Sequence, residues 1–203
     1  MRFAATTQSE AATLALGERL GALLQGGDVV LLDGVLGAGK TRLAKGIALG
    51  LGVTQELTSP TFNLMLEYPL AADTTQERLS TTPNTADKQL TTPRPEMPPC
   101  PETTTPTPPL PTTLRHFDLY RLDAVEQLAD LDYFGLIEEE DAVSLVEWGG
   151  RFAEGLPLAY LAIQMKVSSV HPEQRVLSFE ACGPRAEALL ARFAALDTAG
   201  QHD

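Results

Sequence analysis

The octapeptide Gly34-Val35-Leu36-Gly37-Ala38-Gly39-Lys40-Thr41 fits the pattern Gly-x-x-x-x-Gly-Lys-Thr, the Walker A loop. No other stretch narrows the folds open to this chain as much. The apolar run Val29 to Leu32 before it reads as a buried strand, and Lys40 to Leu51, closed by Gly52, reads as a helix after it. Between strand and helix, glycines let successive backbone N–H groups turn toward one point, which also lies at the positive end of the helix dipole. Such a loop cradles phosphate. From average residue usage the pattern arises by chance in roughly one chain in a hundred of this length, and its context lowers that further. In such a loop Lys40 reaches the β- and γ-phosphates and Thr41 places its hydroxyl on Mg²⁺.

The remaining elements alternate in the same way. Ser9 can cap a helix running to about Leu24, with Ala12, Leu16, Leu20, Leu23 and Leu24 on one stripe and Gly26-Gly27 ending it. Phe62 to Tyr68 and Leu114 to Leu119 read as strands, and Asp123 as the cap of a helix through about Leu131. Ala142 to Glu147, Tyr160 to Ser168 and Arg175 to Glu180 read as further strands, and Pro184 opens a last helix with Leu189, Leu190 and Phe193 facing the core. This alternation predicts an α/β protein, a P-loop NTPase-like three-layer fold with a mixed, mostly parallel central sheet.

One segment breaks the pattern. Residues 71–113 hold 13 Thr and 10 of the chain's 15 Pro, with few apolar side chains of any size. It cannot bury enough surface to offset its ordering entropy, and it reads as a disordered, partly polyproline insertion inside a single domain spanning 1–203. Its strand neighbours flank it like an enlarged hairpin, and residues 198–203 read as a frayed end. The net charge of −12 disfavours autonomous tight binding to nucleic acid, so an RNA role would run through a partner. No apolar run approaches the roughly 20 residues of a membrane span. The first ten residues carry no apolar h-region, and Cys100 and Cys182 make neither a disulfide framework nor a metal motif, so the expectation is a cytoplasmic protein without a membrane role.

A P-loop needs an acid near its metal. Glu147 ends the apolar run Val143-Ser144-Leu145-Val146, and Asp118 ends another strand. Carboxylates at the C-terminal ends of strands face the crevice where open α/β sheets bind ligands. Either can hold Mg²⁺ or orient water. Ser59-Pro60-Thr61-Phe62 follows the P-loop helix, where a hydroxyl such as that of Thr61 can sense phosphate and metal, or simply open a turn. His116 reads as a packing side chain, Trp148 as one that packs near the site or, by preference, anchors the core, and Cys182 as a small buried one.

Taken in order, the glycine loop, Ser59-Pro60-Thr61-Phe62, His116-Phe117-Asp118-Leu119-Tyr120-Arg121-Leu122 and Leu145-Val146-Glu147-Trp148 resemble the bacterial TsaE family over about residues 9 to 196, apart from the insertion. The resemblance implies a P-loop ATPase that uses ATP and Mg²⁺, turns over slowly alone and works with TsaB and TsaD in making threonylcarbamoyladenosine next to the anticodon of tRNA. It implies catalytic roles for Lys40, Asp118, Glu147 and Thr61. Nucleotide binding falls to Gly34, Leu36, Gly37, Ala38, Gly39, Lys40, Thr41 and Arg42, and metal binding to Thr41, Glu147 and Asp118. Val35 stands where the family often has Asp, Arg42 where it often has Thr, and the insertion is atypical.

Other P-loop classes fit less well. A small-molecule kinase needs an arginine-rich lid, and Arg151 is isolated while the long segment offers only Arg78 and Arg94. A GTPase needs Asn-Lys-x-Asp, which the ordered part lacks. A nucleotide-bound scaffold without turnover stays open, although the intact set of Lys40, Thr41 and Glu147 argues against it.

Overall fold

The computed structural model describes residues 1–60, 63–70 and 110–199. Its elements run β1 (Arg2–Thr7), α1 (Glu10–Gly21), β2 (Val29–Asp33), α2 (Lys40–Leu51), β3 (Met65–Pro69), β4 (Thr113–Asp118), α3 (Glu126–Ala129), α4 (Tyr133–Ile137), β5 (Ala142–Glu147), two 3₁₀ turns at Gly149–Arg151 and Ala153–Gly155, β6 (Tyr160–Val167), β7 (Arg175–Cys182) and α5 (Pro184–Ala199). Seven strands make one sheet in the order β1-β7-β6-β2-β5-β4-β3. The central strands β6, β2, β5 and β4 are parallel, while β7, β1 and β3 pair antiparallel at the two sides.

Burial explains the arrangement. β2 and β5 are apolar on both faces, as parallel strands covered on two sides must be. In β2, Val30 and Leu32 enter one core with Leu16 and Leu20 of α1, Leu43 and Ile47 of α2 and Phe193 of α5. Val29 and Leu31 point the other way, into a second core with Phe117, Leu128, Tyr133 and Phe152. Two cores on opposite faces of one sheet give the three-layer, P-loop NTPase-like α/β fold that the alternation predicts.

Local signals account for most element ends. The Ser9 hydroxyl accepts from the Ala12 N–H at 3.1 Å and caps α1. Gly52, at φ 88°, closes α2 in the left-handed conformation that glycine adopts without strain. The contact between α1 and α2 is unusually close. A Cβ on Gly46 would lie 2.1 Å from the Leu14 carbonyl oxygen, and one on Gly50 2.1 Å from that of Glu18.

Several expectations need correction. The stretch Met1 to Ser9 holds a strand, β1, whose Phe3 meets Phe193 edge-on with centroids 5.9 Å apart. α1 stops at Gly21, and the N–H groups of Leu23 and Leu24 continue only as tight turns. No single helix runs from Asp123 to Leu131. The Gln127 side-chain oxygen instead takes the N–H groups of Asp123 and Ala124, and Asp132 at φ 52° separates α3 from α4. β3 starts only at Met65, because Leu64 at φ 64° turns the chain and its N–H bonds back to Pro60. Cys182 is exposed, since in β7 it alternates with the inward-facing Phe179 and Ala181. The final helix extends to Ala199; residues 200–203 lie outside the described residues. So do Thr61, Phe62 and all of the Pro/Thr-rich stretch except 110–113, of which Thr113 already belongs to β4.

Candidate functional site

Strand register assembles the site. β4 and β5 run parallel with Asp118 opposite Glu147, and Leu32 of β2 flanks Glu147 on its other side. Both acids therefore sit together at the C-terminal edge of the central sheet, where the glycine loop leaves β2. Within that loop Gly34, Gly37 and Gly39 have φ of 149°, 79° and 101°. At Gly34 the loop also leaves no room, for a Cβ there would lie 2.5 Å from the Met165 carbonyl oxygen. The loop curls over Gly39 into the N-terminus of α2.

A cavity of about 380 Å³ opens at this point. Leu36, Gly37, Gly39, Lys40, Thr41 and Arg42 line it from the loop and α2, and Asp118, Tyr120, Glu147 and Trp148 from the ends of β4 and β5 and just beyond. Glu10, Thr13, Glu173 and Arg175 also line it. The loop residues inferred from sequence thus converge, with differing parts. Ala38 turns its side chain into the core and offers only backbone, whereas Leu36 is 83% exposed at the loop's tip. Arg42 is engaged by Glu10, so its guanidinium already has a counterion. Thr61 lies outside the described residues, while its neighbour Ser59 donates to Asp118 Oδ2 at 3.2 Å.

The charges are tightly interlocked. Lys40 is buried, and its ammonium donates to the carbonyls of Gly34 at 2.8 Å and Val35 at 3.3 Å. It also lies 4.2 Å from the centre of the Trp148 ring. Burial lowers its pKa, and the charges of Glu147, Asp118 and Asp33 oppose that fall. Asp118 takes the Tyr120 N–H on Oδ1 at 3.1 Å, which fixes the carboxylate's two oxygens between two donors. Glu147 is buried, with Oε1 3.1 Å from the Nε2 of His116. All these potential metal ligands are oxygens, the donor type of hard divalent cations.

Two residues matter here beyond their sequence reading. Sequence leaves Trp148 either near the site or in the core and favours the core. Its ring does pack there in part, but it also covers Lys40 and stacks against Tyr120 with centroids 5.1 Å apart. Its φ of 64° turns the chain sharply after Glu147 and brings the ring over the loop. Asp33, which carries no motif signal, ends β2 half-buried beside Lys40 and accepts a backbone hydrogen bond from Gly150.

Comparison with known proteins identifies the family. The family model described as "Threonylcarbamoyl adenosine biosynthesis protein TsaE" matches residues 7–79 and 104–176. The tRNA threonylcarbamoyladenosine biosynthesis protein TsaE of Mycobacterium bovis is 36% identical over 171 residues, covering 82% of this chain and 80% of that one. The protein of that name from Bacillus subtilis is 32% identical over 178 residues, covering 87% and 84%. The crystal structure of Bacillus subtilis YdiB superimposes with a TM-score of 0.62 at 25% identity, covering 97% of each chain. On the family match, these identities and the shared fold, the chain belongs to the TsaE family of tRNA threonylcarbamoyladenosine biosynthesis proteins.

Proposed function

We propose that the chain is a Mg²⁺-dependent ATPase acting as an ATP-driven switch on homologues of TsaB and TsaD, the pair that places threonylcarbamoyl on the adenosine next to the anticodon of tRNA. The observation that carries this reading is the meeting of Lys40, Asp118 and Glu147 at the mouth of the glycine loop. Three carboxylates, those of Asp33, Asp118 and Glu147, act on one buried ammonium. A polyphosphate alone would be repelled there, whereas one accompanied by a divalent cation would not. The donor set fits Mg²⁺, which takes one or two carboxylates and fills its shell with substrate phosphates and water.

Bound there, the cation would neutralise charge on the phosphate oxygens. The chain's own groups do the rest. Backbone N–H groups from Gly37 to Thr41 hold the phosphates at the positive end of α2. Lys40, which now donates to the carbonyls of Gly34 and Val35, would supply positive charge to the phosphates, and Thr41 and Glu147 would hold the metal. Asp118, oriented by Ser59 and Tyr120, helps to place water or metal. Docking of the partners closes the site and raises the rate. The net charge of −12 suits a protein whose partners hold the RNA, and the role places it in the cytoplasm. Among the described residues no helix is long and apolar enough to cross a membrane.

The test is ATP hydrolysis by the purified chain with Mg²⁺, with and without TsaB and TsaD homologues. Expected is strong stimulation by the pair that Glu147→Ala abolishes. Lys40→Ala should lose about 3 kcal/mol of transition-state stabilisation, roughly a hundred-fold in rate. Unchanged hydrolysis in Lys40→Ala, or ATP binding without stimulated turnover, would overturn the reading.

A further inference from the structure

His116 lies two residues before Asp118 in β4, opposite Leu145 of β5 in parallel register. Residues 116, 118, 145 and 147 share one face of the sheet, so the ring reaches diagonally across to Glu147. It is fully buried, among apolar neighbours such as Leu114 and Leu145. Its Nε2 is 3.1 Å from Glu147 Oε1, while its Nδ1 has no hydrogen-bond partner among the described residues. Packing alone does not explain this choice, because an apolar side chain would fill the site without leaving a buried ring nitrogen unsatisfied. A carboxylate oxygen accepts, so the geometry requires the hydrogen on Nε2.

We propose that His116 is a positioning residue for Glu147. It donates to Oε1 and pins the carboxylate, so that the other oxygen of Glu147, a residue that lines the cavity, stays available to a cation there. Ligating carboxylates need such a second partner to hold their orientation, and loss of one typically costs metal affinity. The inference rests on Glu147 acting on the metal side of the bound nucleotide.

The test measures binding of a fluorescent ATP analogue, mant-ATP, to the full chain, with Mg²⁺ titrated in and separately in EDTA. His116→Leu should raise the Mg²⁺ concentration for half-saturation about ten-fold and leave metal-free binding within about two-fold. His116→Gln, which returns a donor at a similar reach, should restore most of the loss. In a Glu147→Gln background His116→Leu should add almost nothing, because both changes act on one interaction. ATP turnover at saturating Mg²⁺ should fall less than turnover at limiting Mg²⁺. Unchanged Mg²⁺ half-saturation, equal losses with and without metal, or additive losses in the double variant would each overturn the proposal. Thermal unfolding identifies a misfolded His116→Leu chain; His116→Gln and His116→Phe then carry the same comparison, with the same outcomes supporting or overturning the proposal. If the unmodified chain binds mant-ATP without any Mg²⁺ dependence, the metal-side reading of Glu147 fails and this inference with it. A Mg²⁺ dependence indifferent to residue 116 overturns this inference alone.

Discussion

Asp33 shows how a single side chain couples the glycine loop to the turn that carries Trp148. Burial pushes its carboxyl above the usual 3.8, with the Gly150 hydrogen bond and the Lys40 charge pulling the other way. A Cβ on Gly150 would lie 2.6 Å from Asp33 Oδ2, so backbone closes directly on the carboxylate. Because the folded state keeps this proton longer than the unfolded chain, stability should fall as pH rises from the ordinary carboxylate value through the raised folded one, and then level off. Asp33→Asn should remove that slope, which urea unfolding across the acid range measures directly; an unaltered slope would assign it to other groups. Lys40 behaves in the opposite sense. Its lowered pKa makes stability rise with pH between the lowered folded value and 10.5. At this scale the sequence is readable where chemistry is local. Lys40 and Thr41 stand in one octapeptide, and Asp118 and Glu147 end apolar runs. Asp33 and His116 are not readable as site residues, because their partners lie on other strands and only register brings them together; Trp148 is readable only as a neighbour of Glu147 that could pack near the site or in the core.

Among the elements, α1 and α2 meet through glycines on both sides. Gly17, Gly21, Gly46 and Gly50 each have a partner backbone oxygen within 2.5 Å of where a Cβ would be. Glycine within a helix ordinarily costs about 1 kcal/mol relative to alanine. Here it permits backbone-to-backbone approach, so the usual preference should reverse. Gly50→Ala is expected to destabilise by about 1–3 kcal/mol through overpacking. The check is the urea midpoint, and a stabilised variant would show that the helices can part without loss. The leucine stripe of α1 is visible in the sequence because it repeats at helical spacing. The glycine contact is not, since one helix alone gives no reason for it. β1 escapes a sequence reading for a related reason. Arg2–Thr7 has only Phe3 as a large apolar side chain, and its strand conformation depends on pairing with β7.

For the molecule as a whole, what matters is which end of the sheet each feature occupies. Pro69 pairs with Thr113, and the Leu70 N–H bonds to the Thr112 carbonyl at 2.9 Å. These are the far ends of β3 and β4 from Asp118. The Pro/Thr-rich stretch therefore joins the fold at the edge remote from the cavity, and its expected expansion of a hairpin agrees with these attachment points. Replacing residues 72–109 by a short hairpin linker should leave Mg²⁺-dependent nucleotide binding intact. It should also favour folding, by about 0.6 kcal/mol for each halving of the loop. Calorimetry and nucleotide titration of that variant would measure both, and lost binding would give the stretch a part in the site. The parallel centre is legible because its strands are apolar on both faces and alternate with helices, whereas the order in which strands neighbour one another is set by long-range packing. That order has a consequence for biosynthesis. β2, which launches the glycine loop, lies between β5 and β6, strands made more than a hundred residues later. A growing chain exposes its most apolar strand long before either neighbour has left the ribosome, and such non-local pairings form slowly. The glycine loop is thus synthesised long before the two strands that hold its launching strand in place.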